Sequence, residues 1–217
     1  MKRYLLFLIF LLSINLKSDN YFDFHKSSTY NSLGQTGLIY VPSAEVNSEK
    51  SIFFTFNKNE IWKLGTLTAT PFSWLEASYF YYRPDDLLWG GAEGLYLDKG
   101  FNVKFSYKPK QRNLPAIAIG LDDFAGTGQF TREYLASTLN TKNSKITFGI
   151  GWGKYAGNNS IENPFAFISE KIKVRPTGFS NFGGSPEYNK WFRGDAAIFG
   201  GVEWSIPNSK GLKLKVE

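Results

Sequence analysis

The sequence predicts an all-β chain, an antiparallel transmembrane β-barrel that is incomplete by itself, with about 9–10 strands of a larger barrel protein. Three observations predict it. Segment after segment alternates apolar and small or polar residues with a period of two. The links between these segments alternate between tight and mostly longer. No stretch shows sustained helical periodicity, while 21 Gly, 12 Tyr, 20 Phe and frequent Thr favour strands and turns.

The first segment, MKRYLLFLIFLLSINLKSDN, places Lys2 and Arg3 before an apolar run from Tyr4 to Leu12 that extends weakly to Leu16. That is the layout of a secretory signal peptide, assigned to residues 1–18, and it is shorter than the ~20 apolar residues of a spanning helix. Without Lys2, Arg3 and Lys17 the 25 basic residues fall to 22 against 19 acidic, so the formal charge drops from +6 to +3. So small a surplus argues against a nucleic-acid partner. The chain contains no Cys, hence no disulfide, thiolate metal site or lipid-bearing thiol. Nothing after Leu16 resembles a spanning helix, so any membrane crossing would be made by strands.

Residues 19–50 read as a periplasmic or lumen-lying lead, and 51–217 as the partial barrel. Strands are expected at 51–57, 63–70, 74–83, 100–108, 114–122, 129–139, 145–153, 197–205 and 211–217, most of them near the ~9–11 residues that a tilted strand needs to cross a bilayer. In GFNVKFSYK, Phe101, Val103, Phe105 and Tyr107 oppose Asn102, Lys104, Ser106 and Lys108. Leu75, Ala77, Tyr79 and Tyr81 oppose Glu76, Ser78 and Tyr82; Ile146, Phe148, Ile150 and Trp152 oppose Thr147 and three glycines; Leu212, Leu214 and Val216 oppose Lys213, Lys215 and Glu217. The tight links are 71–73, 109–113, 140–144 and 206–210, and the longer ones 84–99, 123–128 and 154–196. Outer-membrane barrels alternate their turns and loops in this way. Trp62, Trp74, Trp152 and Trp204 fall at strand ends, where a ring can straddle lipid and water. By parity the ninth strand ends outside in mid-pattern, so further strands are expected to complete the barrel.

Four stretches in order, GQTGLIYVPSAEV (34–46), LPAIAIGLDDFAGTGQFTREYLAS (114–137), FGIGWGKY (148–155) and KWFRGDAAIFGGVEWSIPNSKGLKLKVE (190–217), resemble the YjbH family of outer-membrane proteins associated with exopolysaccharide and group 4 capsule production. The resemblance implies a barrel that helps export or assemble a surface polysaccharide, with no established catalysis. Family members are much longer, so the likeness is to their amino-terminal part. They are often lipoproteins, and the absence of cysteine here departs from that pattern.

The candidate contacts with polysaccharide are inward or loop residues: Glu76, Tyr82, Lys104, Lys108, Asp122, Asp123, Arg132, Lys213 and Lys215. The four lysines are expected to form a positive strip for an acidic polymer, and Phe80 and Tyr82 to stack on sugars or pack on the lead. In LDDFAGTG, Arg132 is placed to return and pair with a carboxylate; the loop is read either as a fixed turn or as a site for sugar hydroxyls or a cation. Adjacent Asp122 and Asp123, if both extended, point to opposite faces, a poor geometry for glycoside hydrolysis. His25 is the single histidine, remote from the strands, which removes Ser–His and His-metal chemistry. GIGWGK fits no phosphate-loop spacing; its glycines read as serving sheet curvature or close approach by something filling the lumen. The expectation is therefore a non-enzymatic export or assembly component of the cell outer membrane, without cofactor, whose partners are outer-membrane lipid, an acidic polysaccharide and other export proteins. The competing readings are a soluble periplasmic β-sandwich that binds or acts on carbohydrate, and a general diffusion porin.

Overall fold

A computed structural model describes residues 28–85, 96–111, 113–157, 159–178 and 184–217. The expected signal peptide, His25 and the first part of the lead lie outside the described residues. Among the described residues nine strands form one antiparallel sheet in chain order: β1 (Ser51–Lys58), β2 (Trp62–Phe72), β3 (Leu75–Pro84), β4 (Asp98–Tyr107), β5 (Ala116–Asp122), β6 (Arg132–Asn140), β7 (Ser144–Trp152), β8 (Ala196–Ser205) and β9 (Lys213–Val216). Each expected strand is present. The clearest displacement is at β6, which begins at Arg132 rather than 129, because the Phe130 N–H turns back to the Asp123 carboxylate (3.1 Å) instead of joining a ladder. The long link before β8 carries a 3-10 turn (Gly153–Tyr155) and a single-turn α-helix, α1 (Glu170–Lys173).

The two faces of the sheet have opposite fates, and the greasy one is bare. Ile52 and Phe54 are each 71% exposed, Phe101 47% and Phe105 43%, and Tyr79, Ile119, Phe148 and Leu214 are exposed with them. The reading as a sandwich required Phe101 and Phe105 to be buried under a second layer, and none of the described residues supplies one. The other face is buried although it is polar: Thr66, Thr68, Thr70, Glu76, Ser78, Asn102, Lys104, Thr138 and Glu203 all lie within it. What covers that face is the lead, residues 28–50.

This face is knit by cross-strand pairs that the register sets directly opposite each other. Ser78 faces Asn102 and Thr138 faces Thr147, and each pair is hydrogen-bonded at 3.0 Å. Glycines provide room for inward rings: Tyr134 lies over its partner Gly120 and Phe199 over its partner Gly149, while Tyr155 covers Gly151. A Cβ at Gly149 would fall 2.2 Å from the Phe199 ring and 2.7 Å from the Leu135 carbonyl oxygen. Phe199, Tyr155, Tyr134 and small alanines from β5 and β6 pack with Ala44 of the lead as the apolar part of this interior.

The end of the sheet that carries the longer links differs from expectation at one tryptophan. Trp62, Trp74 and Trp204 keep partly exposed rings, but Trp152 is fully buried. The long link between β7 and β8 folds over it, with Phe165 stacked at 5.8 Å and Phe192 edge-on at 5.2 Å. That link is clamped by Arg175, whose guanidinium forks onto both oxygens of Glu133 at 2.6 and 2.8 Å. The cover is local and leaves the apolar band bare below it.

Candidate functional site

The interior is organised around Lys104. It is 2% exposed, stands directly opposite Glu76 in the β3–β4 register, and pairs with it at 2.9 Å. A buried ammonium needs its remaining donors satisfied, and the lead supplies them: Lys104 Nζ donates to the Thr36 carbonyl at 2.8 Å and to the Glu45 carbonyl at 3.2 Å. Thr36 closes the ring, its N–H donating to Glu76 Oε1 at 3.1 Å and its hydroxyl to Oε2. The neighbouring Gln35 side chain donates to Asp122. Adjacent lead residues thus grip β3 and β5 together, bringing onto one network Glu76 and Asp122, whose convergence the sequence left open.

Asp122 and Arg132 face each other across β5 and β6 and pair at 2.9 Å through Arg132 Nε, as their ten-residue spacing predicted. Asp123 is a correction. It does not extend the strand to present the opposite face; its φ of 53° is left-handed, so both Asp122 and Asp123 are buried. Its Oδ2 accepts from Phe130 N, and its Oδ1 lies against Gly126 and Gly100, where a Cβ would come within 1.8 and 2.5 Å. These glycines are what lets the loop close over a buried carboxyl. Burial, and next the negative charge of Asp98, push Asp123 up to about 7.

The free positive strip is not present. Lys104 is spent on Glu76 and the lead, Lys213 pairs with Glu203 at 3.1 Å, and Lys215 donates to the Leu38 and Gly37 carbonyls at 2.7 and 3.0 Å. Lys108 alone of the four stays largely in solvent, its side chain 70% exposed and 3.8 Å from Glu45. The cause is stoichiometric: carboxylates and lead carbonyls share the same enclosed face, and each inward cation finds one. Glu45 takes Lys145 at 2.5 Å and Asn140 at 2.7 Å, with Ser28 at 2.8 Å. Burial raises its carboxyl, but the Lys145 charge and these hydrogen bonds outweigh burial and hold it below the usual carboxylate range.

At the end carrying the longer links, the interior opens into a cleft of about 260 Å³ between the lead, β2–β4 and the start of β6, reached by Tyr82, Asp123 and Arg132 among the predicted residues. Trp62, Tyr82 and Phe130 form a continuous wall, with ring centroids 6.1 and 4.8 Å apart. Phe80 is buried in its floor, and Lys154 stands at its edge with the ammonium 5.7 Å from the Phe130 ring. Among the described residues no group of three or more His, Cys, Asp or Glu is placed to hold a metal ion.

The family model described as "Exopolysaccharide biosynthesis protein YbjH" matches residues 29–217, which begins with the lead and runs through β9. The chain belongs to the YjbH family. One relative, the "Uncharacterized lipoprotein YjbH" of Escherichia coli strain K12, is 29% identical over 189 residues, covering 85% of this chain and 27% of the relative. The chain therefore spans about a quarter of that protein's length. No solved structure matches significantly. Of the residues that fasten the interior, Gln35, Thr36, Asp122, Asp123, Arg132 and Glu203 fall in the stretches that resemble the YjbH family, whereas Glu76 and Lys104 lie between them.

Sequence reasoning missed Gln35, Thr36 and Glu45, because a polar lead shows no periodicity to say which residues touch a sheet. It also missed Lys154 and the Arg175–Glu133 clamp, 42 residues apart in sequence. Within the lead the usable signal was GQTG, a polar pair between glycines.

Lys104→Met leaves Glu76 buried without its cation, so unfolding in urea is expected to cost about 3–5 kcal/mol less, and protease is expected to cut within 29–47 before the sheet; unchanged stability and an uncut lead would contradict this network. Asp123 binds its proton more tightly folded than unfolded, so its contribution declines as pH rises from 3.8 to about 7, and Asp123→Asn flattens that limb. Glu45 has the opposite sign: its contribution is present above 4.5 and is lost as pH falls through its lower folded value, a limb that Glu45→Gln removes. Stability profiles against pH for the three proteins check both.

Proposed function

We propose that this chain is part of an outer-membrane β-barrel that serves the export or surface assembly of an exopolysaccharide and does not itself catalyse a reaction. The observation that carries the reading is the inverted sheet, whose aromatic and aliphatic face is bare while its threonines, carboxylates and lysines are enclosed. In water that arrangement would leave a very large apolar surface unsatisfied; in a bilayer the hydrocarbon solvates it. Family membership supplies the process, exopolysaccharide biosynthesis. The relative's name as a lipoprotein agrees with a protein placed at a membrane.

Two further features support a curved, barrel-like wall. A flat sheet of nine strands would be about 38 Å across at ~4.8 Å per neighbour. Yet the short lead bonds to Thr68 of β2, Glu76 of β3, Lys104 of β4, Asp122 of β5, Thr138 of β6, Lys145 of β7, Glu203 of β8 and Lys215 of β9, which requires the sheet to wrap around it. The edges of β1 and β9 have no further strand among the described residues, and unpaired backbone is costly in lipid. Further strands, from the same polypeptide or from partners, are proposed to complete the wall.

The filled interior favours an export or assembly scaffold over a general diffusion porin, because the lead occupies the space that a pore would leave to water. Membrane extraction tests the proposal. The protein is expected to stay with the outer membrane in alkaline carbonate and high salt and to leave only in detergent, and Phe148→Arg is expected to lower its membrane-inserted stability by about 2–4 kcal/mol. Release of the parent protein by carbonate would refute it.

A further inference from the structure

The aromatic cleft breaks the rule that governs the rest of the enclosed face. Elsewhere that face carries Thr, Ser, Asn, Gly, paired charges and the packed cluster of Tyr134, Tyr155, Phe199 and alanines, but at the end with the longer links Trp62, Tyr82 and Phe130 line it with half-buried rings. They are not part of the apolar cluster of Tyr134, Tyr155 and Phe199, and all three line the cleft. Rings at the mouth of a polar chamber offer the apolar faces on which the C–H side of a sugar ring stacks.

Two cations with unspent donors border the same space. Arg132 uses Nε on Asp122, while its two Nη groups donate to none of the described residues. A guanidinium anchored through Nε in this way presents its end-on fork, the geometry that takes a carboxylate with two parallel hydrogen bonds. Its plane is also fixed by the Tyr155 ring, 5.3 Å from Cζ. Lys154 has no carboxylate of the described residues within 4.0 Å of its ammonium, in contrast to Lys104, Lys145 and Lys213. The acidic group nearest to hand, Asp123, has Oδ2 engaged by the loop backbone and Oδ1 pressed against glycines. Asn102 is likewise spent, donating to Ser78 and accepting from the Asp123 N–H. Asp123 Oδ1 has no hydrogen-bond partner but is buried, so the charged donors that the cleft offers a ligand are the Arg132 fork and the Lys154 ammonium.

We propose that this cleft is a binding subsite for one negatively charged sugar residue of a polysaccharide, its ring stacked on the Trp62–Tyr82–Phe130 wall and its carboxylate held by Arg132 and Lys154. The volume of about 260 Å³ suits a single residue, and Tyr40, half exposed on the lead, borders it on the side open to solvent. A longer polymer would run on past the rim. The proposal deepens the reading above and rests on it for the class of ligand. The subsite binds and positions; it breaks no bond.

Titration calorimetry of the detergent-solubilised protein with trigalacturonate and with maltotriose tests it. Trigalacturonate is expected to bind at least roughly tenfold more tightly than maltotriose, because a charge-assisted carboxylate contact is worth about one order of magnitude. Lys154→Gln is expected to weaken it about tenfold, and Arg132→Lys, which keeps a cation opposite Asp122 but removes the fork, by a similar factor. Lys142→Gln, in the exposed β6–β7 link at the other end of the sheet, is expected to change nothing. Equal affinity for the two sugars, equal losses in the Lys154 and Lys142 variants, or no binding at all would overturn the subsite. Carbonate extraction of the membranes from which that preparation is made separates the two levels: a protein that stays in the membrane and binds neither sugar loses the subsite and keeps the barrel.

Discussion

Enclosing a polar sheet face requires a partner for every buried donor and acceptor, and in this chain the lead segment is that partner. Lys104 shows how tightly the requirement binds. Its ammonium is neutralised by Glu76 and its remaining donors go to the Thr36 and Glu45 carbonyls, so removing the lead would strand a charge in the interior. The same holds along the sheet, where Thr66, Thr68 and Ser106 donate to the Leu33, Gly34 and Ala44 carbonyls. The lead has almost no regular structure of its own; it takes its shape from side chains of the wall.

That dependence divides the molecule by solvent. In the proposed barrel the bare face needs only an apolar surrounding, which composition alone satisfies. The inner face needs specific pairs, and the register provides them: Glu76 opposite Lys104, Asp122 opposite Arg132, Lys215 opposite Glu203. Register and charge pattern are therefore one property, since a slip of one residue would turn each of these groups outward. Membership of the YjbH family, over 29–217, extends across lead and sheet together, consistent with their acting as one unit.

The strands were legible because a period of two is a local signal. Phe101 against Asn102, or Ile117 against Ala116, can be read without knowing any neighbour, and the Asp122–Arg132 pair follows from a hairpin of short reach. The backbone at Asp123 was not legible, since a left-handed turn made by a non-glycine residue leaves no periodic trace. Nor was the fate of the inward lysines. Whether Lys213 is a free cation or half of a pair depends on Glu203, which the β8–β9 hairpin brings opposite the neighbouring Lys215. The burial of Trp152 depended on a link whose path the sequence did not indicate. The cleft was half visible: Tyr82, Asp123 and Arg132 were named, whereas Lys154 and Phe130 reach it only through the fold.

The central claim is that lipid, and not protein or water, solvates the Phe and Ile face. The absence of native cysteine allows single nitroxide labels to be placed at Phe101, Phe148 and, on the other face, Ser106, and their collision rates with oxygen and with a water-soluble nickel chelate to be measured in reconstituted bilayers. The account predicts high oxygen and low nickel accessibility at 101 and 148, and low accessibility to both at 106 beneath the lead. High nickel accessibility at 101 and 148, or shielding from both reagents there, would contradict it.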